Sequence, residues 1–204
     1  MPRKGGETKR RIIDAAYEVS YKGGFARPGV DAIAEAARVT KRTLYYHFDS
    51  KDALLAAVLD AQHELVLARI QRWARRASGN PQKMVEILFG EFKTWARKPG
   101  WRGSGFTRAA MELADLPGHP ARRAASRHKA AVEDWLAGEF ANGGIRGSRE
   151  LARQIMLFIE GCHSLALIHG DTSYIDTASA SARLLVSRSR VGCSSISSAH
   201  PTKQ

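Results

Sequence analysis

The 204-residue chain contains 44% hydrophobic and 25% charged residues, a composition typical of a globular protein large enough to bury a core. Its formal net charge of +12 and isoelectric point near 10.2 favour an anionic partner such as nucleic acid. Two cysteines, Cys162 and Cys193, exclude a disulfide framework and fit a reducing compartment. No apolar run follows the basic N-terminal residues, and the stretch QIMLFIEGCHSLALIHG looks too short and too polar to span a bilayer. We therefore expect a soluble, cytoplasmic protein.

Helical periodicity runs through almost the whole chain and predicts an all-α fold. In the first helix, Ile12, Ala16 and Val19 form an apolar stripe, and Gly23 and Gly24 end it. The predicted helices cover residues 8–22, 30–37, 41–48, 51–76, 81–98, 106–114, 119–141, 148–169 and 173–186. The residues before Thr8 are expected to be flexible, and the serine-rich end, 188–204, is expected to be disordered.

The second and third predicted helices are short, and the small turn between them makes a helix-turn-helix. In this motif the second helix enters the major groove of DNA, with its first residues at the base edges. Leu44 and Phe48 lie four residues apart and are expected to face the core. The predicted base-reading residues are Thr40, Lys41, Arg42 and Thr43. The predicted phosphate-binding residues are Tyr45, Tyr46 and His47, with Lys51 adding charge at the start of the next helix.

Residues 8 to about 60 resemble the DNA-binding domain of the TetR family of bacterial transcriptional repressors. The resemblance rests on IIDAA, GGF, IAEAA, TLYYHF and the SK step before LL. It implies an Ω-shaped homodimer with one DNA-binding head per subunit and a C-terminal ligand-binding domain. The sequence departs from the family pattern at Ser20, at Pro28-Gly29, and at Arg38 and Arg42, where glycine is common.

The resemblance also implies a division of the chain into a helix-turn-helix domain, 1–50, a helical ligand-binding and dimerisation domain, 51–187, and the tail. Apolar and polar side chains of the second domain are candidates for an inducer pocket. These candidates are Phe89, Phe92, Trp95, Phe106, Arg108, Met111, Glu112, Trp135, Phe158 and His163. The last two long helices are expected to form the dimer interface as a four-helix bundle. The candidates there are Ile155, Ile159, Leu165, Ile168, Ile175, Ala178, Ala182 and Leu185.

Several alternatives remain open from the sequence. Arg108 and Glu112 are four residues apart, so they either pair with each other or face a polar ligand. The pocket and interface candidates also fit ordinary core positions. Cys162 beside His163 lacks any metal-ligand spacing and is interpreted as a small buried hydrophobe, so neither a metal nor another cofactor is expected.

The leading functional hypothesis is a ligand-responsive, sequence-specific repressor that binds a palindromic operator as a homodimer. The alternative is a sequence-indifferent basic nucleic-acid-binding protein, which explains the charge but not the spacing of the helices. An enzyme is not expected, because no nucleophile elbow, phosphate loop or dinucleotide fingerprint is present.

Overall fold

The computed structural model describes residues 4–191, and every regular element within that range is helical. A 3₁₀ turn, Arg75–Ala77, extends the fourth helix. The helices are α1 Lys4–Gly23, α2 Val30–Ala36, α3 Lys41–His47, α4 Lys51–Ala74, α5 Pro81–Ala96, α6 Gly105–Glu112, α7 Pro120–Asn142, α8 Ser148–His169 and α9 Ser173–Val191. The predicted all-α fold is confirmed.

Two predicted helix ends were wrong. The first helix begins at Lys4, so the flexibility expected before Thr8 is wrong for residues 4–7. The last helix continues to Val191, beyond the predicted end at residue 186. The expected disorder is therefore wrong for residues 188–191, and its remainder, 192–204, lies outside the described residues.

Contacts divide the chain into two compact units, and the division is not a single cut. The first unit contains the residues up to Arg69 together with Pro99–Ala131, and the second contains Ile70–Lys98 with the residues from Val132 onward. The functional boundary at residue 50 stays a prediction, because compactness does not test it.

The first unit holds two apolar clusters. One unites α1, α2, α3 and the start of α4, so the short helices are held by shared burial rather than by their own length. The second joins the α1–α2 connection and α4 to α6 and α7. The buried members of the first cluster are Ile12, Ile13, Ala16, Ile33, Ala34, Ala37, Leu44, Phe48, Leu54 and Val58. Those of the second are Phe25, Leu55, Leu59, Phe106, Ala109, Leu113, Ala121, Ala124 and Ala125.

The second unit is built on α9, which packs against both α5 and α8. By length and composition alone, α8 would suffice to cross a membrane, and it is the one such helix among the described residues. The sequence-based exclusion of a span here was therefore too strong. This property is weak evidence for a membrane segment, because core helices of soluble proteins share it, and α8 buries Leu151, Ile155 and Ile159.

Candidate nucleic-acid interface

Helix α3 is fixed at its start by a side-chain cap and along its length by two apolar anchors. The Thr40 hydroxyl accepts a hydrogen bond from the Thr43 amide at 3.0 Å, as the sequence predicts for an N-cap residue. The Thr40 and Thr43 hydroxyl oxygens lie 2.8 Å apart and share a second hydrogen bond. Leu44 is fully buried and Phe48 is 5% exposed, so the opposite face of the helix is turned to solvent.

The outward face of α3 carries an arginine and two tyrosines. Arg42 is exposed, Tyr45 is 44% exposed and Tyr46 is 84% exposed. The half-buried His47 ring stands edge-on to the Tyr46 ring, with 5.2 Å between their centroids. The phenolic hydroxyls of exposed tyrosines can donate hydrogen bonds to phosphate oxygens.

Lys41 is not free at the helix start, because it forms an ion pair with Asp31 of α2. The Lys41 Nζ lies 3.1 Å from one Asp31 carboxylate oxygen and 3.2 Å from the other. Both side chains are more than half exposed, so the pair contributes about 1 kcal/mol at most and opens readily to a stronger anion.

Lys51, predicted to add charge at the start of α4, also makes a contact within the protein. Its Nζ donates a hydrogen bond of 2.7 Å to the Ala26 carbonyl, and its side chain is half-buried. This bond ties the first turn of α4 to the α1–α2 connection. Lys51 therefore positions the connection in the free protein, and only its remaining ammonium hydrogens are available to an anion.

The turn between α2 and α3 contains a residue in an unusual conformation. Arg38 has a φ of +52°, in the left-handed region that residues other than glycine rarely adopt. This agrees with the sequence analysis, where Arg38 stands at a position at which glycine is common. Gly29, the N-cap residue of α2, offers no side-chain hydrogen bond to the first turn of that helix. Because the left-handed region is unfavourable for a residue other than glycine, the packing of α2 and α3 has to hold Arg38 in this conformation.

Glu112, which the sequence suggested only as a pocket candidate, anchors the connection leading into α2. The Glu112 carboxylate, on α6, accepts hydrogen bonds from the backbone amides of Phe25 at 2.5 Å and Ala26 at 3.2 Å. Arg108, one turn earlier, donates to the Tyr21 carbonyl at 2.8 Å and pairs with Glu112 at 3.3 Å. We call these two residues the α6 clasp.

The α6 clasp resolves one alternative left open by the sequence, because Arg108 and Glu112 do pair with each other. Their spacing of four was the only sequence signal. The backbone groups that they hold lie more than 85 residues away in the chain. The guanidinium also lies over the Tyr21 and Phe25 rings, at 5.6 and 5.9 Å from their centroids.

The ten candidate pocket residues fall in both compact units and do not form one group. In the first unit, Phe106 stacks on His128 with 3.6 Å between centroids, Met111 is 66% exposed, and Arg108 and Glu112 form the clasp. The remaining candidates, Phe89, Phe92, Trp95, Trp135, Phe158 and His163, belong to the second unit.

Within the second unit the structure brings four of those candidates together. The His163 ring stands edge-on to Phe92 at 5.0 Å and to Trp95 at 5.5 Å between centroids. Phe92 in turn contacts the candidate Phe89 and also Trp73, a residue that was not among the candidates. These five side chains form an aromatic cluster on α4, α5 and α8.

The predicted interface residues divide into buried and exposed ones, which corrects that set. Ile155, Ile159, Ile175, Ala178 and Ala182 are buried within the chain, since α8 and α9 use these faces to pack inside the second unit. Leu185 is half-buried. Leu165 and Ile168 are exposed, by 40% and 71%, and the same helices also expose Leu157 and Leu184, by 69% and 52%.

Cys162 has the environment expected of a small buried hydrophobe. Its Sγ contacts the Ile159 carbonyl at 3.3 Å, and burial raises the pKa of the thiol to about 12. At neutral pH the thiol is therefore protonated and a poor nucleophile or metal ligand. Among residues 4–191, no three histidine, cysteine or acidic side chains come together as metal ligands would.

Comparisons with known proteins agree with the geometry of α1 to α3. Residues 12–58 match the model of the bacterial regulatory proteins of the tetR family. The HTH-type transcriptional regulator TtgR of Pseudomonas putida is 47% identical over 58 residues, 28% of either chain. The HTH-type transcriptional repressor KstR of Mycolicibacterium smegmatis is 32% identical over 103 residues, half of either chain. The chain thus spans between about a quarter and a half of the length of these curated relatives.

Solved structures extend the similarity beyond the DNA-binding head. A TetR-type transcriptional regulator from Streptomyces avermitilis is 30% identical, covers 86% of this chain and 97% of its own, and superposes with a TM-score of 0.74. A TetR-family transcriptional regulator from Streptomyces coelicolor is 26% identical, with coverages of 93% and 97% and a TM-score of 0.75. The chain therefore belongs to the TetR family of bacterial transcriptional regulators.

Proposed function

We propose that the protein is a sequence-specific DNA-binding transcriptional regulator, a repressor released from a palindromic operator by a small-molecule inducer. The single observation that carries this proposal is the outward face of α3, where Arg42, Tyr45 and Tyr46 are exposed over the buried Leu44 and Phe48. The protein would act in the cytoplasm, where operator DNA is accessible.

Charge supports contact with DNA but does not explain sequence preference. Residues 1–51 contain 11 Lys/Arg and 6 Asp/Glu, a net charge of +5 in the first quarter of the chain. Such an excess binds phosphate and makes affinity depend on salt, whichever sequence is bound. Base preference requires side chains that reach base edges, and the start of α3 supplies the candidates Thr40, Lys41, Arg42 and Thr43.

The proposed homodimer is supported by an exposed apolar stripe on α8. Leu157, Gly161, Leu165 and Ile168 recur at helical spacing and are all exposed, and Leu184 is exposed on α9. A second copy of the chain would cover this stripe by forming a four-helix bundle. Sedimentation of a Leu157→Asp, Ile168→Asp double variant should then give half the native mass. A native mass equal to that of one chain would contradict the proposed dimer.

The proposed inducer would bind near the aromatic cluster of the second unit. Trp95 and His163 combine aromatic surface with ring nitrogens, the mixture of apolar walls and few polar groups typical of ligand sites. Operator binding requires two recognition helices about 34 Å apart, one turn of DNA. A ligand that binds better to a dimer with another head spacing would lower operator affinity by shifting that population.

Selection of bound fragments from a random double-stranded DNA pool, with unrelated DNA in excess, tests the proposal. Enrichment of a palindrome is the expected result. Recovery of DNA without any common sequence would instead favour a sequence-indifferent basic binder. The enriched site then serves to screen small molecules for release.

A double variant, Lys41→Ala with Tyr46→Ala, identifies the binding face. Its operator affinity should fall, whereas Lys98→Ala with Tyr174→Ala, which removes the same residue types elsewhere, should bind like the native protein. Full affinity in the α3 variant would overturn the assignment of this helix.

A further inference from the structure

We propose that Arg42 is the residue that determines sequence specificity at one position of each operator half-site, and that it selects a guanine there. This inference rests on the proposed function, since it concerns how the same face of α3 reads DNA. It follows from the hydrogen bonds and ion pairs that Thr40, Lys41, Arg42 and Thr43, the N-cap and first residues of α3, make or lack in the free protein.

Three of those four residues are already engaged in the free protein. The Thr40 hydroxyl caps the helix through the Thr43 amide, and the two threonine hydroxyls bond to each other at 2.8 Å. The Lys41 ammonium is paired with Asp31 at 3.1 Å. Each of these groups would have to give up or share a protein contact in order to bind a base.

Arg42 differs from its neighbours in this respect. Its side chain is exposed, and no hydrogen bond or ion pair joins its guanidinium to any other residue in the described range 4–191. Its full set of donors is therefore available without breaking a contact of the protein.

The position of Arg42 on the helix also suits a base contact. Tyr45 and Tyr46 follow it by three and four residues, so all three side chains share one face. In a helix-turn-helix the first residues of the second helix lie deepest in the major groove. If the two tyrosines bind the backbone phosphates, then Arg42, one turn nearer the start, faces the base edges.

The chemistry of the side chain specifies the base. The planar guanidinium presents two parallel N–H donors, which match the O6 and N7 acceptors of guanine. Adenine presents a donor at N6 in place of O6, so one of the two donors would meet another donor.

The experiment compares operators selected by the native protein with those selected by Arg42→Gln, which removes the charge and favours adenine through N6 and N7. Arg38→Gln is the matched control, because Arg38 is also an exposed arginine of the head but lies outside α3. Selection from a random pool is followed by affinity measurement on the enriched operator and on operators changed at one symmetric pair of positions.

In the native protein, replacing the selected guanine should weaken binding by about 5- to 100-fold. Arg42→Gln should lose that preference at one position per half-site, gain adenine there, and keep the rest of the palindrome. Arg38→Gln should keep the guanine, even if its affinity falls uniformly through the lost charge.

The outcomes separate this inference from the proposed function. A palindrome with no guanine preference sensitive to Arg42→Gln would overturn the inference while leaving the regulator intact. Loss of the guanine preference in both variants equally would also overturn it, because charge alone would then be responsible. Absence of any enriched sequence with the native protein would refute the proposed function itself.

Discussion

Removing the Glu112 carboxylate should loosen the α1–α2 connection and lower the stability of the first unit. In Glu112→Ala, the Phe25 and Ala26 amides lose an ionised acceptor at 2.5 and 3.2 Å. Hydrogen bonds to charged groups each contribute about 1.5–3 kcal/mol when buried. Because the Glu112 side chain is 28% exposed, the lower end applies to each bond, and we expect a loss of about 3 kcal/mol in total. For a chain of this size that lowers Tm by about 9 °C.

Urea and thermal unfolding followed by circular dichroism provide the measurement. Asp115→Ala is the matched control, since Asp115 is an exposed carboxylate close by on the chain, and its removal should change stability by less than about 0.5 kcal/mol. Glu112→Gln keeps an acceptor oxygen without the charge and should lie between the two. If Glu112→Ala were as stable as Asp115→Ala, the α6 clasp would not hold the connection.

Three further changes test the packing of single side chains. Ser20→Ala should raise the free energy of unfolding by about 1 kcal/mol in urea titrations, because the fully buried Ser20 hydroxyl has no hydrogen-bond partner among the described residues; lower stability would contradict this. Thr40→Ala should cost about 1 kcal/mol and weaken operator binding through fraying of α3, whereas Thr40→Ser should keep both. In a Cys193→Ser background, Cys162 should react with a thiol reagent at pH 8 about 1,000-fold more slowly when folded than in urea, given its pKa of about 12 against 9. Because burial raises the pKa of the folded thiol above that of the unfolded thiol, the unfolded state loses its proton first. The free energy of unfolding should therefore fall as pH rises from about 9 to about 12.

Most helices could be placed from the sequence because their ends have local causes. Thr40 caps α3, Ser50 accepts a hydrogen bond from the Ala53 amide at the start of α4, and Asn80 with Pro81 begins α5. The two misplaced ends lie where no such signal exists. Glycines near Lys4 and serines near Val191 have weak helical preference, yet both segments continue a helix that is already nucleated.

The outward face of α3 was equally accessible to sequence reasoning. Leu44 and Phe48, four residues apart, lie on the buried side, and Tyr45 and Tyr46 between them are exposed. The sequence could not show which of the charged side chains are already bound to other groups of the protein. Lys41 pairs with Asp31, ten residues away, and Lys51 binds the Ala26 carbonyl, so their availability depends on how α2 and the connection are placed.

The interface and pocket candidates show the limit of composition as a guide. An isoleucine on α8 is equally suited to a core and to a subunit contact, and Ile155 is buried whereas Ile168 is 71% exposed. The period of the helix predicts that two faces exist. Which face packs inside the chain is decided by α5 and α9, whose positions depend on the whole second unit.

The all-helical architecture, the helix-turn-helix and the solvent-facing side of α3 can be read from the chain alone, because caps, glycines and apolar spacing act within one or two helical turns. The folded protein adds that Glu112 holds the amides of Phe25 and Ala26, that Lys41 is paired with Asp31, and that Arg42 has no such contact. The two kinds of information differ in the distance along the chain over which the interactions act. A hydrogen bond or an ion pair depends on a few ångströms in space, and residues far apart in the chain come that close only once packing has placed their helices.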